Sequence, residues 1–76
     1  MPSRKSKQAQ KIEELFVLAE TVTVKELYEA LYGDAGDRSD RELSQAVGPA
    51  LSRYFKRTGN NVTPTGKHYT YRLEYA

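Results

Sequence analysis

Side chains that donate hydrogen bonds recur in the second half of this chain: Arg41, Gln45, Ser52, Arg53, Lys56 and Arg57. Plotted at about 100° per residue, Arg41, Gln45, Ser52 and Lys56 share one helix face with Gly48 and Pro49, and Arg53 lies toward its edge. Around the helix, no acid lies nearer to this face than Glu42. Guanidinium and ammonium groups neutralise phosphates, Gln and Arg also match base edges, and small residues between them permit close approach. Lys67 and His68 follow in a Gly-turned segment and extend the same chemistry beyond the helix. The residue types therefore fit binding to a polyanion.

Other chemistries lack their parts. His68 is the only histidine and there is no cysteine, so a His/Cys metal site is not expected. No nucleophile and base are suggested by spacing, and the Gly33-Asp34-Ala35-Gly36 run lacks the lysine of a phosphate-binding loop. No enzyme activity and no cofactor are expected. His68 reads as an exposed strand residue able to touch phosphate. Tyr69, Tyr71 and Tyr75 have the rings of a base-stacking platform, but their shared strand face favours a place in the core.

Three helices and a hairpin must position these residues. Ala9, Ile12, Leu15, Phe16 and Ala19 recur at the three-and-four spacing of one helix face. The β-branched run Thr21-Val22-Thr23-Val24 suits a short strand that pairs with the hairpin. Thr23 and Glu26 have capping-box spacing and open a second helix, with Leu27, Tyr28 and Leu31 inward and Gly33 as a left-handed cap. Ser39 and Glu42 form a second box, opening a third helix over 39–57 whose inner stripe is Leu43, Val47, Ala50, Leu51 and Tyr54. Pro49 either kinks this helix or splits it, and one kinked helix is the favoured reading. After 58–61 a short strand at 61–63 turns through 64–67. It returns as an alternating strand with Tyr69, Tyr71, Leu73 and Tyr75 on one face and His68, Thr70, Arg72 and Glu74 on the other.

The bulk properties set limits. Seventy-six residues make one domain, and a chain this size buries only about 60% of the surface its unfolded form exposes. Without cysteine the core has no disulfide or thiolate-metal support, which fits a reducing, cytoplasmic setting. No stretch reaches the roughly 18 apolar residues of a membrane span, so no membrane partner is expected. Net charge is +2, unevenly distributed. Residues 1–11 carry Arg4, Lys5, Lys7 and Lys11 and no acid, whereas nine acids fall within 12–42 against Lys25, Arg38 and Arg41. Beyond 42, Arg53, Lys56, Arg57, Lys67 and Arg72 face Glu74 alone. Residues 1–6 read as a flexible basic arm in which Arg4 and Lys5 add phosphate contacts, and 7–76 as the single folded domain.

The runs 26–32 (ELYEALY), 39–43 (SDREL), 47–51 (VGPAL) and 65–73 (TGKHYTYRL) resemble the winged-helix domain that ends many phage and plasmid helicase-primases. The likeness covers about residues 20–75. Such a resemblance implies an α+β fold, a winged helix-turn-helix of three helices, a short strand and a C-terminal hairpin wing. It also implies double-stranded DNA as partner, with Arg41, Gln45, Ser52, Arg53 and Lys56 in the major groove and Lys67 in the wing. Two features depart from the pattern: no ATPase accompanies the domain, and Pro49 stands where the family usually has no proline. A free-standing version is similar to small phage or plasmid regulators such as excisionases and winged-helix repressors. Transcription regulation or DNA replication is the expected setting. The alternative is a protein-interaction module presenting Glu13, Glu14, Glu20, Glu26, Glu29 and Asp34 to a basic partner. No heptad seam is visible, so a monomer is the expectation.

Overall fold

A computed structural model describes residues 7–76; the basic arm expected at 1–6, with Arg4 and Lys5, lies outside the described residues. The chain forms α1 (Lys7–Leu18), β1 (Thr21–Thr23), α2 (Val24–Tyr32), α3 (Asp40–Thr58), β2 (Asn61–Pro64) and β3 (Thr70–Glu74). The strands make one antiparallel sheet in the order β1-β3-β2. It is a small α+β fold with three helices against a three-stranded sheet. No helix among the described residues is long and apolar enough to cross a membrane.

Both capping boxes form. The Thr23 amide donates to Glu26 Oε1 at 2.9 Å and the Glu26 amide to Thr23 Oγ1 at 3.2 Å. At α3 the Ser39 amide donates to Glu42 Oε1 at 3.1 Å and the Glu42 amide to Ser39 Oγ at 3.3 Å. Each pair satisfies two amides that the first helical turn leaves without partners. Gly59 closes α3 in the left-handed region at φ 78°. Gly33 closes α2 differently from the expected left-handed cap. Its φ of 101° and ψ of −154° belong to glycine alone, and its amide still donates to the Glu29 carbonyl at 3.1 Å.

Helix α3 is continuous from Asp40 to Thr58 with Pro49 inside it, so it does not split. Two features allow this. Gly48 has no Cβ to collide with the proline ring, and the Gln45 carbonyl, which loses its amide partner at position 49, belongs to an exposed residue that water can reach.

The core joins Ile12, Val22, Val24, Leu27, Leu43, Val47 and Tyr54, each at most 2% exposed, with Ala9, Leu31, Ala35, Ala50, Val62 and Tyr71 around them. Val22 opposite Tyr71 and Val62 opposite Leu73 tie the sheet's inner face to the helices. Tyr71 reaches α3, where its hydroxyl lies 3.0 Å from Ser44 Oγ.

The return strand starts later than the alternation predicts. It begins at Thr70, because Tyr69 sits at φ 45° in the turn, and His68, expected in the strand, is an exposed residue of that turn instead. The Tyr69 carbonyl there accepts from the Val24 amide at 2.9 Å, supplying a partner to the first turn of α2. The inward stripe fades along the strand: Tyr71 is buried, Leu73 half-buried, and Tyr75 is 73% exposed. Tyr75 is therefore not a core residue, lying beyond the last pairing of β3.

Candidate nucleic-acid interface

The outer face of α3 is open along its length. Arg41, Gln45, Gly48, Pro49, Ser52, Arg53, Lys56 and Arg57 are all exposed. Arg41 and Lys56 stand about 22 Å apart along the axis at 1.5 Å per residue. A Cβ placed on Gly48 meets nothing within 4 Å, so the middle of this face is unobstructed. Phe55, 48% exposed, borders the same stripe beside Ser52. The sequence pattern hides it, because the inner stripe accounts for the other apolar residues of α3. Its angular position near Gly48 and Ser52 was the available signal.

The acids at the start of α3 are engaged. Glu42 accepts from the Ser39 backbone and hydroxyl, and those two bonds, followed by the nearby Arg38 charge, hold its carboxyl below the ordinary value. Asp40 Oδ2 lies 3.3 Å from His68 Nε2, an ion pair when the imidazole is protonated. This contact draws the hairpin tip onto the amino end of α3. His68 also meets the Tyr69 ring edge-on, with centroids 4.6 Å apart. The hairpin is thus anchored to α2 through Val24 and to α3 through Asp40 and Ser44. Lys67 is exposed in that tip, its amide donating to Thr65 Oγ1 at 3.3 Å. Arg72 lies on the sheet's outer face and pairs with Glu74 at 3.5 Å.

The candidate residues fall into two groups. Arg41, Gln45, Lys67 and His68 belong to the amino half of α3 and the hairpin tip that contacts it, whereas Ser52, Arg53, Lys56 and Arg57 belong to its carboxyl half. Arg53 and Arg57 turn toward α1, where Arg53 Nη2 donates to Gln8 Oε1 at 3.5 Å. Nothing in the sequence marks Gln8, since no local pattern places the start of α1 beside the end of α3.

The acidic surface is less available than its composition suggests. Glu13 accepts from the Tyr54 hydroxyl at 2.8 Å, Glu26 is held by its capping box, and Asp34 accepts from the Gly36 amide at 3.0 Å. Among the described residues no group of histidines and acids is arranged to hold a metal ion. No family model matches this chain, and no curated protein or solved structure matches it.

Proposed function

We propose that this protein is a winged helix-turn-helix that binds double-stranded DNA, with α3 in the major groove and the hairpin tip on the flanking backbone. The observation that carries this reading is the outer face of α3. It presents Arg41, Gln45, Ser52 and Lys56 over about 22 Å around an unobstructed Gly48. The adjoining acids, Asp40 and Glu42, are engaged by the protein itself. A major groove roughly 12 Å wide admits one helix, and donors at this spacing reach both base edges and phosphates. Lys67 at the anchored tip then faces the neighbouring backbone, and Phe55 offers an apolar contact of the kind thymine methyl groups accept. The connection at 33–39 is longer than the three to four residues of a tight helix-turn-helix. It is ordered by the Asp34–Gly36 bond and by Arg38 Nη1 donating to the carbonyl of buried Ala35 at 3.2 Å. A regulator or replication module of phage or plasmid type is the biological setting that fits such a domain.

The test is fluorescence anisotropy with random duplex and single-stranded oligonucleotides from about 50 to 200 mM salt. Duplex binding should weaken as salt rises, and Lys56→Ala and Arg41→Ala should each flatten the salt dependence by about one phosphate contact without unfolding the chain. Unchanged affinity in both variants at low salt would refute the placement of α3.

A second reading, protein contact, draws on a separate surface. The end of α1 exposes Val17 at 81% and Leu18 at 87%, with Glu14 and Glu20 nearby in sequence. Capture of a basic protein that is lost on Leu18→Ser, together with no duplex binding, would favour it.

A further inference from the structure

Arg53 and Arg57 stand one helical turn apart on α3, and both line a groove of about 130 Å³ against the start of α1. Gln8 lines it from α1, and its floor is Ala9, Ala50 and Tyr54, each 2% exposed. At about 30 Å³ per water, the space holds roughly four waters, enough for one tetrahedral oxyanion. We infer that this groove is a phosphate-binding site, in which two guanidinium groups and the Gln8 amide grip one phosphate group. On the DNA reading proposed above, on which this source rests, that group is a backbone phosphodiester beside the helix in the groove.

The chemistry of the lining supports an anion. No acid lines the groove, and neither arginine is in an ion pair among the described residues. Like charges at i and i+4 repel, and an anion between them removes that repulsion. Guanidinium forks match phosphate oxygens in pairs, which is why arginine serves such sites better than lysine. Gln8 has a positioning part. Its Oε1 accepts from Arg53 Nη2 and steadies that guanidinium, while its amide hydrogens remain as further donors. The small side chains of Ala9 and Ala50 keep the floor shallow, so a phosphate attached to a polymer can enter from outside. The site adds α1 to a surface otherwise built from α3 and the hairpin, and fixes the duplex on the side of α3 opposite the hairpin.

The full chain, labelled with ¹⁵N, is titrated with inorganic phosphate and separately with random duplex. Arg57→Gln is compared with the parent, thermal melting confirming that the exposed substitution leaves the fold intact. The expected result is that duplex shifts the Gln8 and Ala9 amides, and that Arg57→Gln removes those shifts. The same variant should reduce the affinity lost between about 50 and 200 mM salt by roughly 3.5-fold, the effect of one phosphate contact. Duplex binding with no response at Gln8 and Ala9 and an unchanged salt slope would overturn the groove while leaving the DNA reading intact. Saturable shifts at these amides with inorganic phosphate but no duplex binding would support the phosphate site and overturn the DNA reading. Silence in both titrations would overturn both.

Discussion

Tyr54 joins three parts of the fold through a single hydroxyl, and removing that oxygen tests how the domain holds together. The ring is 2% exposed, and the hydroxyl donates to Glu13 Oε2 of α1 at 2.8 Å while accepting from Asn60 Nδ2 at 3.4 Å. Tyr54→Phe keeps the ring and opens no cavity of consequence. A hydrogen bond to a charged group contributes about 1.5–3 kcal/mol, and because half-buried Glu13 regains water in the variant, the lower figure of about 1.5 applies. At 4–8 °C per kcal/mol for a domain this small, the melting temperature should fall by roughly 6–12 °C. Alkali adds an independent check. Burial, followed by the neighbouring Glu13 carboxylate, raises the phenol above its ordinary value of 10.0, although Asn60 pulls the other way. A group whose folded pKa is raised stabilises the fold fully below its unfolded value and loses that contribution as pH rises through the folded one. The gap between the parent and Tyr54→Phe should therefore narrow above about pH 10. Thermal melts by circular dichroism at pH 7 and across pH 9–11 measure both effects. Equal melting temperatures at pH 7, or a gap that does not narrow in alkali, would refute the bridging role of the hydroxyl.

Three further outcomes are expected from the same melts or from urea titration. Pro49→Ala restores an amide donor for the Gln45 carbonyl and should stabilise the chain by about 1–3 kcal/mol; no gain would mean that the helix bears no strain there. Gly59→Ala forces an L-residue into the left-handed region, with its Cβ 3.3 Å from that of Ala76, and should cost about 1–2 kcal/mol, Gly59→Asn costing less. Ser39→Ala removes the hydroxyl, one of the three groups that lower the Glu42 pKa, beside the Ser39 amide and the Arg38 charge. The stability from that lowered pKa is present above the ordinary carboxylate value and lost as pH falls through the folded one. The variant should therefore lose least relative to the parent in acid, and a gap that widens on acidification would contradict this.

How far the sequence could be read depended on the range of the interaction. Capping boxes act over three residues, so Thr23 with Glu26 and Ser39 with Glu42 marked two helix starts that the structure keeps. The inner stripe of α3 was equally plain, because Leu43, Val47, Ala50 and Tyr54 repeat at the helical period. The strand alternation was a weaker guide. It carried Tyr69 and Tyr75 along with Tyr71 and Leu73, whereas the backbone turns at Tyr69 and pairing ends at Glu74. The exposed donors on α3 were legible from angular position alone, but their neighbours were not.

Local chemistry in the sequence, then, determined where the helices begin, which faces turn inward, and that basic donors gather on the outside of α3. Those signals lie within one or two turns of chain and survive whatever the rest of the fold does. Tertiary packing decided what stands beside those donors. His68 meets Asp40, Tyr71 meets Ser44 and Gln8 meets Arg53 across 28, 27 and 45 positions, respectively. No periodicity encodes such pairings, since each depends on how the buried faces of several elements fit together at once.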